Sequence, residues 1–188
     1  MEDLDKSEIR KIVKGCIKGD RAMQSVLYER YYSKMMGICY RYAKDSDEAK
    51  DLLHDGFLKI FRSLDKYKFN GSLEGWIRRL MINSAIDHYR KYKNIFSLSE
   101  SNIEDVVEPD TSGEEDIYSS FNEKMIMEAV QNLSPAYRTV FNLYAIEGYS
   151  HKEIAEKLNI NIGTSKSNFA KARMNLKIQL EKKLNLQR

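Results

Sequence analysis

The chain has 188 residues, 42% of them apolar and 31% charged, and its 31 Lys and Arg against 28 Asp and Glu give a formal net charge of +3. That length makes one ordinary domain or two small ones. No apolar run approaches the ~18 residues a membrane span needs, and the start Met1-Glu2-Asp3-Leu4-Asp5 lacks a secretory profile. A soluble cytoplasmic protein with no membrane insertion is therefore expected. Cys16 and Cys39 stand alone among apolar residues, with no paired-ligand spacing around them. They read as buried reduced thiols, so neither a metal site nor another cofactor is expected.

In chain order, almost every segment reads as helix, and no stretch shows sustained strand alternation. The fold class is all-α. A short first helix, about 6–18, ends at Gly19. Asp20 caps a second that carries Met23, Val26, Leu27, Tyr31, Met35, Ile38 and Tyr42 at spacings of three and four. Asp45 or Ser46 opens a third, with Leu53, Phe57, Ile60, Phe61 and Leu64 on one side. Ser72 caps a fourth that reaches about Lys93.

From Asn94 to Asn122 there is no Lys or Arg, while Glu100, Glu104, Asp105, Glu108, Asp110, Glu114, Glu115 and Asp116 supply eight acids. Taking those eight from 28 leaves 20 acids against 31 bases elsewhere, so two positively charged lobes flank a negative segment. Such a segment is often only a solvated loop, but the flanking charge is the footprint of a polyanion binder. A structureless loop this long argues against one domain. The expected organisation is two small helical domains, 1–93 and 117–188, joined by a flexible acidic linker over 94–116. At ~3.3–3.6 Å per residue that linker can extend past ~70 Å.

Beyond it, helices are expected at about 117–132, 134–147, 150–157 and 162–184. Pro135 follows the cap Ser134, and Gly148 supplies a stop. Ser150 and Glu153 form a capping box, Asn159 takes the tight turn, and Asn161 caps the last helix. The last two helices form a helix-turn-helix. On its second helix Ile162, Phe169, Ala172 and Leu176 are expected to point inward. Thr164, Lys166, Ser167, Asn168 and Lys171 are expected to face solvent, where Lys and Asn reach base edges and Ser and Thr bind phosphates in a major groove. Arg173, Lys177, Lys182 and Lys183 would follow the backbone. A helical hairpin with a merely soluble face is the plain alternative.

A second basic and aromatic block runs through Lys66, Tyr67, Lys68, Phe69 and Asn70 to Trp76, Arg78, Arg79, Asn83, Asp87, Arg90 and Lys91. Flat rings mixed with cations suit unstacked single-stranded bases. Trp76 alone reads more readily as a core anchor, and Arg90-Lys91 as a basic helix end. The third helix, with Asp51, Leu52, His54, Asp55 and Phe57, has an apolar stripe wide enough to leave a docking surface, unless the helix is fully buried. The neighbours Asp87-His88 and His54-Asp55 point apart on a helix, and no nucleophile or phosphate loop accompanies them. No catalytic residue, enzyme activity or small-molecule substrate is expected.

Taken together, Asp47-Glu48-Ala49-Lys50-Asp51-Leu52-Leu53-His54-Asp55-Gly56-Phe57, then Gly75-Trp76-Ile77-Arg78 with Asn83, then Leu133-Ser134-Pro135 through Ala172-Arg173, resemble the extracytoplasmic-function (ECF) sigma factors. These are the short two-domain branch of the housekeeping-type bacterial sigma family. About Val26–Lys93 looks like sigma domain two and about Ile126–Leu184 like sigma domain four.

The resemblance implies a promoter-specificity subunit that binds bacterial core RNA polymerase and promoter DNA. Asp51, Leu52, His54, Asp55 and Phe57 would dock the coiled coil of the beta-prime subunit, and the second domain would meet the beta subunit flap. Phe69, Asn70, Trp76, Arg79, Asn83 and Arg90 would melt and read the minus-ten element through a flipped base. Thr164, Lys166, Ser167, Asn168, Lys171 and Arg173 would read the minus-thirty-five duplex. The linker would thread the polymerase channel, and an anti-sigma factor is a further partner that the family admits. Four positions depart from the usual pattern: His54 where Gln is common, Asn159 for Gly, Ser165 for an apolar residue, and Asn168 for Arg. Ser165 is expected to loosen the packing of the last helix. The rival readings are a helix-turn-helix regulator that binds duplex DNA on its own and a helical interaction module.

Overall fold

The computed structural model describes residues 5–97 and 123–185, and every regular element among them is helical. The acidic linker falls almost wholly outside the described residues. The chain clusters into two units, residues 1–39 with 46–87, and residues 40–45 with 88–188.

The first unit is built from α1 (Lys6–Ile17), most of α2 (Arg21–Tyr42), α3 (Ser46–Ser63) and the larger part of α4 (Leu73–Ser97). Short polar side chains fix the starts of α1, α2 and α4. Asp5 accepts from Ser7 N and Glu8 N while Asp5 N donates to Glu8 Oε2, a capping box not anticipated from the sequence. Asp20 Oδ1 accepts from Ala22 N at 2.9 Å, and Ser72 Oγ from Gly75 N at 2.9 Å.

Val13, Leu27, Met35, Ile60, Ile77 and Met81 are almost wholly removed from water. Burial of side chains this size stabilises by about 1.5–3 kcal/mol each. Gly56 belongs to the same packing: a methyl group there would overlap Met81 of α4, which is only 1% exposed. Val26, expected on the inner stripe of α2, is instead 41% exposed. Leu27, Tyr31, Met35 and Ile38 set the buried phase of that helix, and Val26 lies outside it. Cys16 and Cys39 are buried thiols outside any disulfide; burial, reinforced by Asp20, pushes the Cys16 thiol up to about 11.

The second unit holds α5 (Glu123–Gln131), α6 (Pro135–Phe141), α7 (His151–Leu158) and α8 (Ile162–Asn185). Ala129, Val130 and Leu133 meet Ala172, Leu176 and Leu180 in its core. After Phe141 the backbone widens into a π-helical stretch, Asn142–Ile146. Arg138, 3% exposed, donates from its guanidinium to Gln131 O at 2.6 Å and Leu133 O at 3.3 Å, which satisfies carbonyls at the end of α5. Its Nε donates to Tyr42 O at 2.9 Å, and Asn142 Nδ2 to Arg41 O at 2.7 Å, so residues 40–45 belong to this unit.

Candidate nucleic-acid interface

The helix-turn-helix is set by local chemistry. Ser134 Oγ accepts from Tyr137 N, with Pro135 at the first helical position, where its missing N–H leaves nothing unsatisfied. Gly148, at φ +75°, ends the π-helical stretch in a conformation that side-chain-bearing residues rarely adopt. Ser150 and Glu153 close a reciprocal box: Glu153 N donates to Ser150 Oγ, and Ser150 N to Glu153 Oε2 at 2.8 Å. Those bonds from Ser150 hold the Glu153 carboxyl below its ordinary range. Asn159 takes φ 51° and ψ 56°, the left-handed turn between α7 and α8. Asn161 Oδ1 then accepts from Thr164 N at 2.6 Å and starts α8.

On α8 the buried positions are Ser165, Asn168, Ala172, Leu176 and Leu180, at spacings of three and four. Ala172 and Leu176 lie inside as expected, and half-buried Phe169 packs on Phe141 and Tyr144, but two positions differ from the expected stripe. Asn168, expected to face DNA, is 6% exposed, and Ile162, expected inside, is 46% exposed. Lys166 and Arg173 are exposed, with Thr164, Ser167 and Lys171 half-buried beside them. Ser167 Oγ donates to Thr164 O at 3.2 Å. Ser165 is wholly buried and its Oγ lies 3.0 Å from His151 Nδ1, so the hydroxyl does not loosen the helix through an unmet polar group. Of the cations farther along, Lys177 lies 3.9 Å from Glu181, and Lys183 pairs with Glu128 of α5. That ion pair holds the Glu128 carboxyl below its usual range.

In the first unit, the loop between α3 and α4 gathers three aromatic rings. Tyr67 is buried, and its hydroxyl donates to Gly71 O at 2.9 Å. Its ring lies 4.9 Å from Phe69 and 5.5 Å from Trp76. Phe69 has φ +57°, a costly conformation for a bulky side chain, and Arg10 of α1 lies 5.6 Å over its ring. Trp76 is half-buried, so it packs on Tyr67 while keeping part of its ring in water. Asn70, Arg79 and Asn83 are exposed. Arg79 and Asn83 follow Trp76 at helical spacing and share its side of α4. Arg90, farther along the same helix, is also exposed and clusters with the second unit.

The α3 residues divide sharply. Asp51, His54 and Asp55 are exposed, while Leu52 and Phe57 are 2% and 3% exposed and belong to the core. Period 3.6 turns 52 and 57 inward whenever 51, 54 and 55 face out. The apolar share of the outer face comes from residues outside the expected docking set. Leu58 is 38% exposed one turn beyond Asp55, and Tyr28 and Tyr32 of α2 form an outward pair. The Tyr28 ring rests on Phe57 at 4.5 Å, so the buried residue shapes the surface from beneath.

Two lobes, each with an outward cationic face and one with a left-handed turn joining its last two helices, match two family models in the same order. Sigma-70 region 2 matches residues 27–95, and Sigma-70 region 4 matches residues 123–176. The chain belongs to the ECF RNA polymerase sigma factors. Among curated relatives it is 28% identical to the ECF RNA polymerase sigma factor SigW of Bacillus subtilis (strain 168), over 92% of this chain and 96% of that protein. It is 27% identical to the ECF RNA polymerase sigma-E factor of Haemophilus influenzae, over 83% of this chain and 86% of that one. Among solved structures, the sigma factor RpoE of Bartonella quintana, in a co-crystal with the anti-sigma factor NepR, aligns with TM-score 0.48 at 21% identity, over 84% of this chain and 96% of that one. No helix among the described residues of the sigma factor is long and apolar enough to cross a membrane.

Proposed function

We propose that this sigma factor divides promoter recognition between its two units. The second unit reads the upstream duplex with Lys166, Thr164, Ser167, Lys171 and Arg173, while Asn168 supports α8 from inside. The first reads the opened minus-ten strand with Phe69, Asn70, Trp76, Arg79 and Asn83, and Arg90 meets the DNA backbone. Asp51, His54, Asp55 and Leu58, flanked by Tyr28 and Tyr32, form the face for the beta-prime coiled coil. The second unit meets the beta subunit flap, and an anti-sigma protein would compete for these faces.

The observation that carries this reading is the aromatic loop. A half-exposed Trp76 and a strained Phe69, bordered by exposed Asn70, Arg79 and Asn83, offer ring faces and cations together. Unstacked bases require that combination, whereas an intact duplex hides its base faces. A regulator acting on duplex alone has no use for such a loop.

The testing experiment uses a fork-shaped promoter probe with an unpaired non-template strand, bound by the holoenzyme. Trp76→Ala and Arg79→Ala should weaken fork binding while leaving binding to the fully paired upstream element unchanged. Equal losses on both probes would mean the loop does not read the opened strand.

A further inference from the structure

Ser165 sits at the centre of the proposed reading surface, between Thr164 and Lys166, yet is fully buried. A buried hydroxyl without a partner destabilises its site. Here the partner is unusual: His151, the first residue of α7, places Nδ1 3.0 Å from Ser165 Oγ. The imidazole is itself held on two other sides. It stacks on Tyr144 at 4.3 Å with planes 13° apart, and it meets Phe169 edge-on at 5.9 Å. Tyr144 reaches this place from the π-helical stretch and lies 4.5 Å from Phe169 in turn. One hydrogen bond therefore ties the start of α7 to the start of α8, and three rings prevent either end from shifting.

We infer that His151 is a positioning residue for promoter reading, which acts through Ser165 to fix the rotation of α8 about its own axis. The inference rests on the duplex-reading role of α8 proposed above. An apolar side chain at 165 would fill the same space without a preferred angle. A hydrogen bond has direction, and the neighbours of Ser165 are the side chains that must meet base edges. A small rotation of α8 displaces the Lys166 ammonium, at the end of its long stem, far more than it displaces the buried stripe. The bond therefore governs discrimination between sequences more than overall affinity for DNA.

The test uses holoenzyme made with the full chain and a short duplex that wild-type holoenzyme has selected from a pool randomised at the upstream element. A scrambled version of that duplex is the reference. Ser165→Ala removes only a hydroxyl and leaves the rings in place; His151→Phe keeps the stacking and removes the bond; His151→Asn sets an amide near the position of Nδ1. Ser165→Ala and His151→Phe should each lower the selected-to-scrambled binding ratio about tenfold, which is ~1.4 kcal/mol. The double variant should be no worse than either single one, and His151→Asn should recover most of the ratio.

A merely structural role predicts the opposite pattern: lower melting temperatures with an unchanged ratio well below melting. That result, or losses that multiply in the double variant, would overturn the inference. If His151→Phe does not fold, the Ser165→Ala ratio decides alone, and an unchanged value overturns the inference. Failure of the underlying reading looks different: Lys166→Ala would then also leave the ratio untouched, and wild type would select no sequence from the pool.

Discussion

The turn at Asn159 permits a quantitative test of how the helix-turn-helix is held. At φ 51° and ψ 56° this residue lies in the left-handed well, and its N–H and that of Ile160 both donate to Ala155 O. An ordinary L side chain in that well costs ~1–2 kcal/mol through crowding between Cβ and the following carbonyl, and Asn carries less of that cost than others. Asn159→Ala should therefore destabilise the second unit by about 1 kcal/mol. Asn159→Val, β-branched, should cost about 2 kcal/mol or more. Asn159→Gly removes the strain but frees the unfolded chain by ~0.5–1 kcal/mol, so it should fall within about half a kcal/mol of wild type.

Unfolding of the whole chain is a poor readout, because two units need not unfold together. Native-state hydrogen exchange of the slowest amides in α7 and α8 reports the second unit directly. The single tryptophan, Trp76, serves as internal control, since its fluorescence transition belongs to the first unit and should stay in place. The predicted order is Gly close to Asn, then Ala, then Val. If Ala matched Gly, the left-handed turn would not be what separates α7 from α8.

Three further outcomes follow from the same geometry. Burial first, and Lys166 second, hold the His151 imidazole below its ordinary 6.5. The unfolded chain then binds more protons than the folded one, so stability of the second unit is complete above pH 6.5 and declines as pH falls below it toward the depressed folded value. His151→Asn should flatten that part of the pH profile, and a profile unchanged by the substitution would assign the decline to other groups. Gly56→Ala gains ~1 kcal/mol of helix propensity but overpacks Met81, which costs ~1–3 kcal/mol, so the first unit should lose about 1 kcal/mol by tryptophan-monitored urea melts. Lys166→Ala and Lys171→Ala should each reduce the salt slope of duplex binding by about one counterion for every phosphate the ammonium neutralises in wild type; an unchanged slope would mean these groups do not meet phosphates.

Much of this architecture is legible in the sequence because its punctuation is chemical. Ser134-Pro135, Gly148, the Ser150–Glu153 box and the Asn159 turn each have one local solution, and the structure adopts it. Phase on a single helix is harder. On α8 two polar residues, Ser165 and Asn168, occupy the buried stripe, and Ile162 stands outside it. Apolar periodicity therefore misplaces Ile162 and passes over the two buried polar residues, whereas Phe169, packed on Phe141 and Tyr144, and Ala172 and Leu176 fall where it puts them. On α3 the difficulty is different: a docking motif read as a block does not separate its inward members, Leu52 and Phe57, from its outward ones, although the apolar stripe already sets Phe57 inside.

The His151–Ser165 bond has a different origin. It depends on the π-helical stretch that carries Tyr144 against His151, and no residue pattern in Asn142–Ile146 announces an extra residue per turn. The capping box at Asp5 and Glu8 is readable in principle, as an acid three residues before a glutamate at a helix start. The outward pair Tyr28 and Tyr32 is also within reach, since they are one turn apart on a helix whose inner phase is already set by Leu27, Tyr31 and Met35.

Every role assigned above presupposes that this chain converts bacterial core RNA polymerase into a promoter-specific enzyme, and multiple-round transcription with purified core measures that conversion. Templates carrying a promoter selected by the holoenzyme should yield discrete transcripts only when core and the sigma factor are both present, and neither alone should initiate. Equal transcript from core with and without the chain would refute the conversion.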